Sequence, residues 1–178
     1  MNKDCEIPKE WKPAGSGEEE LAWVLYDTEG GYNAANTALA YFDQAESAVG
    51  QDETNMPVAN QLPSSQRFLI KEIHWFLNDV SATVDETNIL DRAFIELTIN
   101  NRRKFVAPLR MVVGGATIIP SGVTQDEDHL AGEGFKLERG IIVNGGDNLA
   151  VTVDTGETSA GTDMEATVAL IGRLVRPA

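Results

Sequence analysis

Apolar and polar positions alternate between Arg92 and Leu109. Phe94, Glu96 and Thr98 fall on one side and Ile95, Leu97 and Ile99 on the other, the period-two pattern of a strand with one buried face. Asn100–Asn101 breaks the pattern, and Asn tolerates the positive φ that a tight hairpin turn requires. The return strand runs from Arg102 to Ala107 and ends at Pro108, which cannot donate to a ladder. The spacing predicts a long strand over Arg67–Leu77, with Phe68, Ile70 and Glu72 on one face of its first half and Ile73, Trp75 and Leu77 on the other face of its second. A bulge near Lys71–Glu72 would account for the switch.

Around this hairpin the chain reads as further strands. Leu21–Tyr26 is short and apolar and is closed by Asp27–Gly31. Met111–Val113 extends the hairpin's return strand, Gly114–Gly115 turns it, and Ala116–Ile119 follows. Ser121–Gly134 reads as a polar, acidic loop. Phe135–Leu137 and Ile141–Val143 flank Arg139–Gly140. Asn144–Asn148 is a turn, after which Leu149, Val151 and Val153 alternate with Ala150, Thr152 and Asp154; a loop over 155–163 leads to a last strand, Glu165–Val175. One helix is expected, over 34–49, with Asn33 as N-cap, Gly50 just past the end, and Ala35, Leu39, Phe42, Ala45 and Val49 as an apolar stripe. About eight short strands, turns every 8 to 15 residues and almost no helix predict an all-β sandwich or barrel. The expected domains are an N-terminal arm over 1–20 and a single β domain over 21–178. In the polar arm Ile7 and Trp11 are the candidate anchors, either on a neighbouring subunit or in a frayed tail.

The 178 residues suffice for one domain with a real core, and 42% hydrophobic content is ordinary. Charge changes the picture more. Acids outnumber bases 28 to 14, for a formal charge of −14, so specific or general nucleic-acid binding is not expected. The excess is uneven: twelve acids against three bases over 1–65, six against seven over 66–115, and ten against four over 116–178. Cys5 is the single cysteine, which rules out an intrachain disulfide. The acidic N-terminus is not a signal peptide, and no run is long and apolar enough to span a bilayer, so synthesis in a cytoplasm is expected.

Candidate chemistry is sparse. His74 sits between Ile73 and Trp75 and reads as a partly buried histidine with a local partner. Asp126–Glu127–Asp128–His129 offers carboxylates to a hard cation, but without EF-hand spacing it reads as a solvated loop, and no metal or cofactor is expected. Two distant histidines cannot supply a metal-binding cupin. No Gly-x-Ser-x-Gly elbow, phosphate loop or supported Cys–His pair is present, so the chain is not expected to be an enzyme. Arg102, Arg103 and Lys104 form the one basic cluster, read either as a solvated hairpin tip or as a contact for a neighbour's acids, a lipid headgroup or packaged nucleic acid. Trp11, Trp23, Tyr26, Tyr32 and Tyr41 crowd the first part of the chain, where core and interface packing is weighed against a sugar-stacking platform.

Three stretches carry a resemblance: Phe68–Ile73, Ala93–Asn100, and Gly140–Val151 followed by the strand Ala166–Leu174. In pattern and spacing they resemble the jelly-roll capsid proteins of viruses, and more narrowly are similar to the small major capsid proteins of tailless icosahedral viruses with an internal membrane, known from a Thermus phage and a haloarchaeal virus. The likeness covers roughly residues 66–176 and rests on strand pattern and size. It implies a single eight-stranded jelly roll with an N-terminal arm and at most one short helix. It also implies a structural subunit of the virion that assembles with itself and with a second capsid protein, in contact with an internal viral membrane. The alternative is a carbohydrate- or receptor-binding β-sandwich such as a virion spike or fibre domain. For the assembled shell the expected contact residues are Ile7, Trp11, Arg102, Arg103 and Lys104, with Asp126, Glu127 and Asp128, or Glu18–Glu20, as the acids the basic cluster would meet.

Overall fold

The computed structural model describes residues 5–32, 38–80, 92–118, 128–154 and 164–178. In chain order the elements are β1 (Glu18–Tyr32), β2 (Ala38–Tyr41), α1 (Glu46–Val49), β3 (Arg67–Val80), β4 (Phe94–Ile99), β5 (Arg102–Pro108), a 3-10 turn at Leu109–Met111, β6 (Val113–Ile118), β7 (Asp128–Ala131), β8 (Phe135–Asn144), β9 (Leu149–Asp154) and β10 (Met164–Pro177). They form two sheets. The larger runs β1-β10-β3-β6-β7, with β8 also on β3; the smaller runs β2-β9-β4-β5. β3 shares one long side between two partners: β8 pairs with Arg67–Ile73, and β6 pairs with Trp75–Leu77. Every pairing is antiparallel except that of β3 with β6.

The two sheets bury their facing sides in one core. Leu25, Phe68, Ile70, Ile73, Trp75, Val143, Val168 and Leu170 come from the large sheet, and Leu39, Tyr41, Ile95, Leu97, Ile99, Leu149, Val151 and Val153 from the small one. The bulge in β3 makes this possible. Opposite β10 the register passes from Ile171↔Glu72 to Gly172↔Ile70, so Lys71 has no partner. The extra residue restores phase, and Phe68, Ile70, Ile73 and Trp75 all reach the same core. Gly172 lies at that point because a Cβ there would stand 1.8 Å from the Leu69 carbonyl oxygen.

The hairpin forms as its pattern predicts. Asn100 and Asn101 have φ of 52° and 58°, the left-handed pair of a type I′ turn, and Ile95, Leu97 and Ile99 are buried. β9 likewise alternates buried and exposed. Other expectations are corrected. The helix expected over 34–49 is one turn at Glu46–Val49; its Asn33 cap and the start of its stripe lie outside the described residues. Ala38–Tyr41 is a strand instead, because Leu39 and Tyr41 alternate with Ala38 and Ala40 and pair with β9. That tertiary pairing outweighs weak helix formers. Gly50 does end the helical turn, at φ 115°.

β1 continues through the expected turn at Asp27–Gly31, because Asp27 is buried inside the strand, and it begins at Glu18, three residues inside the expected arm. β6 runs through Gly114–Gly115 instead of turning there; a Cβ at Gly114 would meet the rings of His74 and Phe76 at 2.7–2.9 Å. The expected loop over 121–134 contains β7. The two short strands around Arg139–Gly140 are one, β8, although its register on β3 jumps from Ile141 to Lys136. Ten strands are therefore formed among the described residues, against eight expected. The loop over 155–163 lies outside them.

Candidate interface

The arm leads onto the outer face of the large sheet. Where β8 parts from β3, Glu6 takes up the ladder: its N–H donates to the Glu138 carbonyl and its own carbonyl accepts from Gly140 N–H. Trp11 is 8% exposed and packs on Leu69 and Val175, which point away from the main core. Arg67 clamps this packing. Its guanidinium lies 5.9 Å from the Trp11 ring centre, donates to the carbonyls of Lys12 at 2.6 Å and Pro13 at 2.9 Å, and bonds both carboxylate oxygens of Glu18. Those bonds from Arg67, with the Gly15 N–H, pull the Glu18 carboxyl down to about 2. Trp11 thus anchors the arm on its own chain, while Ile7 stays 43% exposed.

The basic cluster sits on the tip and free side of β5, the last strand of the small sheet among the described residues. Arg102, Arg103 and Lys104 are exposed. Arg103 reaches Glu96 at 2.6 Å. Asn100 ties the tip to the next turn: its Nδ2 donates to Asp147 and its Oδ1 accepts from Asn148 N–H. Val106, about half exposed, follows Lys104 on β5, while Phe94 and Met111, equally exposed, lie at the far end of the hairpin, where Phe94 pairs with Pro108. Lys104, Pro8, Glu10, Arg139 and Gly140 line an open cleft of about 390 Å³ between tip and arm.

At the other end of the small sheet lies an acidic corner. Asp27 is 1% exposed; its carboxylate accepts the Phe42 N–H, which holds Phe42 at φ 68° just after β2, and it also bonds Thr54. Burial raises the Asp27 carboxyl, against those bonds. Glu29, on the same strand, is pushed up to about 7, first by burial and then by the charges of Asp27, Asp43 and Glu53. Asp43 and Glu53 are exposed. The connection after α1 holds the corner together: Thr28 N–H donates to the Glu53 carbonyl, Tyr26 N–H to Asn55 Oδ1, and Asn55 Nδ2 to the Val24 carbonyl. Residues 13–66 contain no Lys or Arg, and among the described residues none of these four carboxylates makes a salt bridge.

The remaining sequence candidates are scattered. Glu18, Glu19 and Glu20 pair with Arg67, Arg176 and Arg173 of the same chain at 2.8, 2.6 and 2.9 Å. Asp126 and Glu127 lie outside the described residues, and Asp128 and His129 are backbone partners of Ile118 and Thr117 in the β6–β7 pair. His74 is buried on the outer side of β3, with Nε2 3.1 Å from Glu72 and its ring under Gly134. Among the described residues no group of three or more His, Cys, Asp or Glu is placed to hold a metal ion, and no helix is long and apolar enough to cross a membrane. The aromatics divide: Trp11 and Tyr41 are buried, while Trp23 and Tyr26 line a shallow cleft of about 320 Å³ with Ala22, Val24 and Gly172. Arg67 as the arm's clamp and the corner around Asp27 were not expected from the sequence; the long stretch without a base was the readable sign of the second. Comparisons with protein-family models, curated proteins and solved structures find no match to this chain.

Proposed function

We propose that the chain is a jelly-roll capsid subunit, assembling with itself and with a second capsid protein into an icosahedral virion shell over an internal viral membrane. The observation that carries this reading is the nesting of the strand pairs. With the β6–β7 hairpin set aside as an insertion, eight strands remain, and they pair first with last, second with seventh, third with sixth and fourth with fifth: β1 with β10, β2 with β9, β3 with β8, β4 with β5. β10 then joins β3 and β9 joins β4, giving β1-β10-β3-β8 in one sheet and β2-β9-β4-β5 in the other. That is a long antiparallel ribbon folded in half and rolled up, the jelly roll common in viral shells and also in lectins. The resemblance in the sequence and the uneven surface charge favour a shell subunit, whose working parts are edges and not a pocket.

The second reading, a carbohydrate- or receptor-binding domain of a spike or fibre, is favoured by the cleft that Trp23 and Tyr26 line. Electron microscopy of the purified chain, alone and with glycans in solution, separates the two. Closed oligomers or sheets indifferent to glycans are expected; a dispersed monomer or trimer that retains a glycan would reject the subunit reading.

A further inference from the structure

We propose that copies of this chain join head to tail, the basic edge of β5 on one copy docking on the acidic corner of the next, formed by β1, the residues after β2 and the connection after α1. This deepens the subunit reading and rests on it. The two surfaces flank opposite ends of the small sheet, since β5 and β2 are its outermost strands. Each is left over after the chain's internal pairing. Arg102 and Lys104 on one side, and Asp43 and Glu53 on the other, are exposed and make no salt bridge among the described residues, whereas Glu18, Glu19 and Glu20 all do.

Charge fixes the kind of contact. A two-fold contact centred on either edge alone would set that patch against its own copy, acid on acid or base on base, which costs free energy and selects against that pairing. A head-to-tail contact sets opposite charges together, and it closes into a ring when the rotation allows. The acidic corner also gains most from a cation. Glu29 and Asp27 are crowded by Asp43 and Glu53, with no base among the described residues acting on them, and a guanidinium or ammonium over them relieves that repulsion. Some apolar surface accompanies each patch: Val106, two residues along β5 from Lys104, is exposed, as are Val24 and Val58 near the acidic corner. Asn60 N–H donates to the Phe42 carbonyl, which brings the Val58 loop next to Asp43.

The test uses two charge-reversal variants. Arg102→Glu with Lys104→Glu leaves the Arg103–Glu96 pair in place; Asp43→Lys with Glu53→Lys changes two exposed side chains and leaves Asp27 untouched. Sedimentation velocity at low salt is run on the parent, on each variant and on an equal mixture, with circular dichroism to verify folding. The parent is expected to sediment as an oligomer and each folded variant as a monomer, with association weakened roughly tenfold or more. The mixture is expected to oligomerise again, because each variant then offers the charge the other lacks. Folded variants that keep the parent's oligomer, or a mixture that stays monomeric, would overturn this contact and leave the subunit reading standing. A parent that is monomeric throughout would count against the subunit reading itself.

Discussion

Leu97 and Asn100 lie three residues apart on one strand and its turn, and they stabilise the fold in different ways. Leu97 is fully buried in the shared core, so Leu97→Ala should cost about 2–5 kcal/mol in a denaturant melt, and a loss below about 1 kcal/mol would mean that the site collapses or is not core. Asn100 and Asn101 both hold positive φ, but only Asn100 bonds the 144–148 turn through its side chain. Asn100→Gly should therefore lose about 1–2 kcal/mol, while Asn101→Gly should be neutral or slightly stabilising. Equal effects from the two would show that the side-chain bonds contribute nothing. Glu29 faces Asp27 on its own strand, Asp43 after β2 and Glu53 after α1, and β10 places Glu165 opposite Gly30. A carboxyl raised to about 7 in the fold binds its proton more tightly there than in the unfolded chain. Its contribution is full below the ordinary carboxyl range and is lost as pH rises through about 7. Glu29→Gln should stabilise the protein at pH above about 7 by on the order of 1 kcal/mol, the shift being discounted because solvent still reaches the group, and should flatten the decline in stability from mildly acidic to neutral pH. Melts of parent and variant at acidic and alkaline pH check this; an unchanged slope would remove Glu29 as its source.

At the scale of elements, β3 is the piece on which both sheets' packing depends. Its bulge at Lys71 keeps Phe68 and Ile70 in phase with Ile73 and Trp75. Deleting Lys71 would turn one of these pairs out of the core, a register error that flips every side chain of a half-strand. The deletion should leave no cooperative unfolding transition by circular dichroism, whereas Lys71→Ala should melt close to the parent. The bulge was legible because a run of apolar residues changed parity within one strand. The hairpin was legible for the same reason, since its alternation and its Asn–Asn turn are local signals. β2 was not legible as a strand: four residues with alanines at alternate positions carry little strand signal, and only pairing with β9, far along the chain, decides them. The sequence closes β1 at Asp27, a frequent turn residue; its burial inside the strand depends on the Phe42 N–H and on Thr54. Of the candidate interface, the basic tip could be read in advance, while Trp11 lies against its own chain because Leu69 and Val175 form a second apolar face that period-two counting does not single out.

For the whole molecule, the same chain that pairs Glu18, Glu19 and Glu20 internally leaves Arg102 and Lys104 at one edge, and Asp43 and Glu53 at the other, without a salt bridge among the described residues. A net charge of −14 makes unguided association of copies unfavourable, so the proposed assembly would depend on where the few bases sit. The nested strand pairing, the docked arm and the polar edges are what the proposed shell subunit would need: a sandwich whose contacts lie on its rim. If the chain is repeated to make a shell, as proposed, its copy number in purified virions that contain it, read from a quantified gel against a component of known number, will show it. Hundreds of copies in each particle are expected. A few tens, as for a spike at the vertices, would contradict the shell role.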